Sequence, residues 1–209
     1  MFENLTLVEA DLNDEASIFA ALKGANLVVH TASPFPLAAP RNENDLINPA
    51  VNGTVSVMKA CHANKVSRVV ITSSIVAIMA CKPEDRPVDG QFSEKNWSNP
   101  VGDHIDPYPK SKTLAEQAAW EFQKNLPEHE KFEIVTINPG LIMGPAFIGA
   151  GFSSGEIISK FMEGEYPGVP KVMFSLVDVR EVAEAHLQAI KRPEAANKRF
   201  VLVNDSVWF

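Results

Sequence analysis

The chain has 209 residues, 45% hydrophobic and 22% charged, with a formal net charge of -7 at pH 7. That length suits one well-buried domain and part of a second, and the ordinary apolar and charged content marks a globular protein rather than a disordered one. The negative balance argues against a general nucleic-acid surface, which needs a basic stripe, and no apolar run is long enough to span a bilayer.

In chain order, Leu5–Val8 reads as a strand and Asp14 to Lys23 as a helix, with Ile18, Phe19 and Leu22 on one face and Gly24 as its stop. Leu27–His30 is a buried strand, Asp45 to Asn64 a long helix and Arg68–Thr72 another strand. A second long helix runs from Asp106, a candidate N-cap, with Pro107 in the first turn, to Lys124. Phe132–Asn138 is a strand, Val179–Lys191 a helix and Lys198–Val203 a closing strand. Apolar strands separated by helices indicate an α/β fold, a doubly wound parallel sheet covered on both faces. Two segments break the alternation. Ala80 to Asp106, with Pro83, Pro87 and Pro100, reads as a long loop, and Gly144 to Gly168 as a loop around one short helix.

The opening MFENLTLVEADLND carries early acids and lacks a basic start and an apolar core, so it is no secretion signal, and a cytoplasmic location is expected. Cys61 and Cys81 give neither a disulfide framework nor a metal spacing and read as reduced thiols. The histidines His30, His62, His104, His129 and His186 show no ligand spacing, so no metal is expected; His186 reads as a packing or capping residue.

The chemistry gathers at strand ends. Tyr108 and Lys112, four residues apart on a predicted helix, share one face, and a cation near a phenol lowers its pKa toward useful acid/base territory. Thr72-Ser73-Ser74 ends the strand RVVIT, where a parallel sheet presents side chains to its ligand crevice. Asn138-Pro139-Gly140 ends the next strand; its Gly permits the close backbone approach that a flat ring requires. Each feature alone is a common turn or surface pair. Together they form an acid relay of hydroxyl, phenol and ammonium.

These residues lie in the runs EADLND (9–14), VVHTASP (28–34), INPAVNGT (47–54), VVITSS (69–74), YPKSKTLAEQAAW (108–120), NPGLIMGP (138–145) and VDVREVAEAH (177–186). Over nearly its whole length the chain thereby resembles the extended short-chain dehydrogenase/reductase (NAD-dependent epimerase/dehydratase) family, in its branch of dihydroflavonol, cinnamoyl-CoA and yeast methylglyoxal reductases. The resemblance implies a Rossmann-like fold, with residues 1–143 as a partial dinucleotide-binding domain. Residues 144–209 would be a partial substrate-binding region whose chain returns to the main sheet around 177–192. It implies that Tyr108 protonates the developing alkoxide, that Lys112 lowers the Tyr108 pKa and binds the nicotinamide ribose, and that Ser74 is the third catalytic group. Asp11 and Leu12 match the adenine contacts, Thr31, Ala32, Ser33 and Pro34 the turn along the cofactor, and Pro139 and Ile142 the nicotinamide carboxamide. Ser154 matches a further contact, and Asn52 a supporting residue. NADP(H) is implied over NAD(H), with a small carbonyl or alcohol compound as substrate and no nucleic-acid or membrane partner.

The chain departs from that family by opening without the strand, Gly-rich turn and helix that cradle the pyrophosphate, and by stopping early at Asn204 to Phe209. It therefore reads as a shortened form. Isothermal titration of the 209-residue chain is expected to show weak NADP(H) binding or none; micromolar affinity would refute that. Gly149-Ala-Gly151-Phe-Ser-Ser-Gly155 mimics a phosphate loop but does not directly follow its strand, and reads as a substrate-side loop. Met79 stands where the flavonoid enzymes of the family carry an asparagine, which points to a less polar carbonyl compound. Two other readings stand beside the reductase: a nucleotide-sugar epimerase or hydroxysteroid dehydrogenase of the same superfamily, disfavoured by the AEQAAW helix, and a non-catalytic dinucleotide sensor or scaffold. The acids of the 83–106 loop read as a solvated surface.

Overall fold

The computed structural model describes residues 4–34, 40–102, 105–147, 153–169 and 171–208. Four strands, β1 (Leu27–His30), β2 (Arg68–Thr72), β3 (Glu133–Pro139) and β6 (Lys198–Leu202), form a parallel sheet in the order β1-β2-β3-β6. Every connection within it is a crossover carrying helix, as parallel pairing demands. Successive side chains of a strand face opposite ways. Val69, Ile71 and Ile134 therefore enter a core with α1 (Glu15–Ala21), α2 (Asn44–Ala63) and α4 (Pro107–Asn125), around the fully buried Met58, Cys61 and Ala119. Val70, Val135 and Ile137 enter the opposite core, against Ala185, Ala189 and Ile190 of α6 (Val179–Lys191). Helices thus cover both faces of the main sheet.

Local signals set the helix ends. Asp14 Oδ1 accepts from the Ala16 amide at 3.0 Å to start α1, and Gly24, at φ 81°, takes the left-handed turn that follows it. Asp178 caps α6 through the Arg180 amide at 2.8 Å. Asp106 precedes α4 in extended conformation with Pro107 at the first turn, but its side chain makes no cap bond. Its backbone carbonyl instead accepts from Lys110 N at 3.2 Å. The loop of residues 80–106 holds one 3-10 turn, Pro83–Asp85, and follows the short α3 (Val76–Met79).

Two expectations are corrected. Leu5–Val8 forms no strand, and Leu7 is 94% exposed. An apolar run becomes a strand only against a partner ladder; β1 is the edge of its sheet among the described residues, with Leu27 45% and Val29 42% exposed. A second sheet was not foreseen: β4 (Leu141–Met143) pairs parallel with β5 (Met173–Asp178), which pairs antiparallel with β7 (Asp205–Trp208). Its strands are short, with β4 only three apolar residues and β5 and β7 mixing polar and apolar positions, and show neither period in sequence. One short helix, α5 (Ser153–Met162), lies in the Gly144–Gly168 loop, as expected. The glycine pattern beginning at Gly149 falls largely on 148–152, outside the described residues, as does His104.

Candidate active site

The carboxyl ends of β2 and β3 lie side by side, as the register Thr72 with Ile137 dictates. Beyond them the Ser73 amide donates to Ile137 O at 2.8 Å and the Ile75 amide to Pro139 O at 3.0 Å, pinning Ser74 between two backbone bonds at the strand tips. The Ser74 hydroxyl in turn accepts from the Val76 amide at 3.3 Å. Helix α4 starts at this edge of the sheet and places Tyr108 in its first turn, so the side chains of Tyr108 and Ser74 are hydrogen-bonded. One turn further on, Lys112 Nζ lies 5.8 Å from the centre of the Tyr108 ring, and Lys112 is 9% exposed. The three residues singled out as catalytic are thus one cluster.

Its electrostatics differ from the expectation. Burial pushes the Tyr108 phenol up to about 12, and the hydrogen bond to Ser74 pulls in the opposite direction. The Lys112 charge does not overcome burial, which pushes Lys112 itself down to about 8. Desolvation, and secondarily the Lys112 charge, lowers His30 to about 4, so this imidazole is neutral at pH 7. A low local dielectric favours the uncharged form of each group, which the i, i+4 spacing alone does not reveal.

The candidate cofactor residues divide. Ala32 and Ser33 join Lys112, Thr54, Thr72, Ser73 and His30 around a cavity of about 20 Å³. Thr31 is exposed beside them. Asp11 is exposed and accepts from the Asn13 amide at 2.9 Å, and Leu12 lies against Gly53 of α2, where an added Cβ would sit 3.1 Å from Leu12 Cβ. Pro139 is buried at the tip of β3, and Ile142 lies in β4, paired with Val177. Ser154 is in α5, whose main neighbour is β4. Gly140 does need close approach, but the group that approaches is the Ser175 carbonyl of β5, onto which a Cβ would collide. Because backbone cannot swing aside, Gly140→Ala is expected to cost about 1–3 kcal/mol by urea denaturation; an unchanged midpoint would show that β5 shifts freely.

Sequence reasoning missed the carboxylate behind the cluster. Glu116, 2% exposed, stands four residues after Lys112 on the same face of α4. Its Oε1 accepts from Arg199 Nε at 2.7 Å, and its Oε2 from Asn138 Nδ2 at 2.7 Å and from the Ser73 hydroxyl at 2.5 Å. The signal was the helical spacing from Tyr108 and Lys112. His186 is structural: its Nδ1 donates to Val182 O at 2.7 Å and its Nε2 accepts from the Thr72 hydroxyl at 2.7 Å. No group of three potential metal ligands occurs among the described residues, and no described helix is long and apolar enough to cross a membrane.

Known proteins share this arrangement of sheet and helices. The chain is 34% identical over 196 residues to the NADPH-dependent methylglyoxal reductase of Saccharomyces cerevisiae, covering 86% of this chain and 56% of that protein. It is also 34% identical over 217 residues to an anthocyanidin reductase of Vitis vinifera, covering 95% and 61%. The structure matches the crystal structure of yeast methylglyoxal/isovaleraldehyde reductase complexed with NADPH at a TM-score of 0.82 and 30% identity, over 95% of this chain and 63% of that one. The chain therefore spans somewhat more than half the length of these relatives. The profile of the 3-beta hydroxysteroid dehydrogenase/isomerase family matches residues 1–208, and the chain belongs to that family.

Proposed function

We propose that this chain carries the catalytic part of an NADP(H)-dependent oxidoreductase that reduces a ketone or aldehyde to the alcohol. The observation that carries the reading is the hydrogen-bonded Ser74–Tyr108 pair with the buried Lys112 one helical turn away. The residues present suit a dinucleotide. The Lys112 ammonium has no hydrogen-bonded protein partner among the described residues and borders the small cavity shared with Ala32 and Ser33, an arrangement fitted to ribose hydroxyls. Asp11 and Leu12 on the adenine side, and Thr31, Pro139, Ile142 and Ser154 along the ring, are its further candidate contacts. Residues 1–143 would hold the cofactor and 144–209 face the substrate. The NADPH dependence of the yeast relative supports NADP(H) over NAD(H).

When bound, the nicotinamide supplies the hydride. The protein's own residues do the rest. The Ser74 hydroxyl donates to the substrate carbonyl and orients it. Tyr108, protonated at neutral pH, gives its phenolic proton to the oxygen as negative charge develops there. Lys112 balances the phenolate that results. The test is NADPH oxidation by the whole protein at high cofactor concentration against a panel of small ketones and aldehydes, wild type beside Tyr108→Phe. Turnover that survives the substitution unchanged removes the proton-donor role. Cofactor binding without turnover of any carbonyl favours a sensor instead.

A further inference from the structure

The groups that touch a substrate sit on a buried polar framework whose centre is Glu116, and resting on the reading above, we propose that Glu116 is the positioning residue of Ser74. Five side-chain donors converge on its two oxygens. Arg199 Nε at 2.7 Å, the Thr136 hydroxyl at 3.1 Å and Trp120 Nε1 at 3.4 Å face Oε1; Asn138 Nδ2 at 2.7 Å and the Ser73 hydroxyl face Oε2. The Thr136 proton has one alternative acceptor, Asn138 Oδ1 at 3.2 Å. A carboxylate with this many donors acts as an acceptor only.

Two of those donors lead to Ser74. Ser73 is its chain neighbour. Asn138 spends its second amide proton on the Ser74 carbonyl at 3.2 Å. The path from Glu116 to the Ser74 backbone is therefore one side chain long, and both Glu116 and Asn138 are buried. The far end of the framework is anchored as firmly. Arg199 Nη1 donates to Glu94 O at 2.8 Å and Asn96 O at 2.6 Å, and its guanidinium lies 3.7 Å from the centre of the Trp97 ring. Glu116 thus couples the strand-tip serines to β6 and to the 94–97 part of the long loop.

Glu116 touches no reacting atom in this arrangement, so its effect must pass through Ser74. Glu116→Gln keeps the size but sets an amide donor against donors. If the amide nitrogen replaces Oε2, it faces Asn138 Nδ2, which must turn and release the Ser74 carbonyl. A misplaced orienting hydroxyl lowers kcat on the order of 10²-fold, whereas KM for NADPH changes little because Lys112 is untouched.

The deciding experiment is a cycle. Glu116→Gln, Ser74→Ala and the double variant are compared in kcat, and the loss from Glu116→Gln is expected to vanish in the Ser74→Ala background. A loss that persists there in full overturns the proposal and leaves Glu116 a stability residue. Asn138→Ala cuts the same path while sparing the Arg199 pair; should Glu116→Gln not fold, the same cycle with Asn138→Ala decides.

A second readout is independent of turnover. The chain has two tyrosines, so Tyr166→Phe leaves Tyr108 alone. The ring-carbon resonance of labelled Tyr108, which senses the hydroxyl's hydrogen bond, should move in Glu116→Gln to the position it takes in Ser74→Ala. A resonance that stays at its wild-type position refutes the positioning role. Were the wild type to reduce no carbonyl at all, the functional reading would fall while this signal still judged Glu116.

Discussion

Tyr108→Phe is expected to lower carbonyl reduction by about 10²- to 10⁴-fold, the usual worth of a placed general acid. The substitution deletes one oxygen from a half-buried ring held in the first turn of α4. Ser74 keeps its bond from the Val76 amide, so the strand tips stay in place and the loss falls on chemistry rather than folding. With the phenol pushed up to about 12, the proposed proton donor is fully loaded at neutral pH. Reduction by the wild type should therefore be level with respect to this group through neutral pH and decline only as pH climbs toward about 12. The reverse oxidation, which needs the phenolate as acceptor, should rise over the same range. Stopped-flow rates of both directions check the pair of slopes.

Lys112→Met is expected to do two opposite things. It should weaken NADPH use on the order of 10- to 100-fold, because a charge-assisted hydrogen bond to the cofactor is lost. It should also stabilise the fold near pH 7. Burial takes Lys112 from 10.5 down to about 8, and at about 1.4 kcal/mol per pH unit the gap comes to about 3 kcal/mol. For a base whose folded pKa is lowered, the unfolded chain binds the extra proton between the two values, so stability rises with pH from about 8 toward 10.5 and the full cost is present below 8. A methionine of similar shape carries no such cost. Urea denaturation at pH 7 should show the gain, and the wild-type rise between pH 8 and 10 should be absent in the variant. Above pH 10 Tyr108 works the other way, since the unfolded chain then loses a proton that the folded one keeps, and stability falls toward about 12. His30, lowered to about 4, adds its own loss of stability as pH falls from 6.5. A variant less stable than wild type at pH 7 would mean that the ammonium has favourable partners offsetting its burial.

Much of this molecule is legible in residue order because its signals are periodic. The strands β1, β2 and β3 are rich in Val and Ile, α2 has an apolar stripe, and the Tyr108–Lys112 pair is a spacing of one helical turn. Strand tips in a parallel sheet point to one edge, so Ser74 and Asn138 could be placed together before any coordinate was known. What stayed hidden depends on partners. Leu5–Val8 has strand composition but no described strand beside it. The strands β4, β5 and β7 exist because they meet one another, and nothing in six residues such as MFSLVD announces that. The direction of the Tyr108 shift hinged on burial, which spacing does not encode. Glu116 was passed over because a charged residue on a helix is usually solvated; only the convergence of Ser73, Asn138 and Arg199 from three strand ends reveals an interior carboxylate.

The parallel order β1-β2-β3-β6 carries a temporal consequence. Parallel neighbours cannot be joined by a tight hairpin, so every ladder waits for a long segment to cross over and dock. Ser74 is clamped only after β3 has docked on β2, and Glu116 gains its Arg199 counterion only after β6 has docked on β3. The proposed catalytic framework is therefore complete only once β6 has joined the main sheet, and a chain lacking that ladder would be without the Arg199 partner of Glu116.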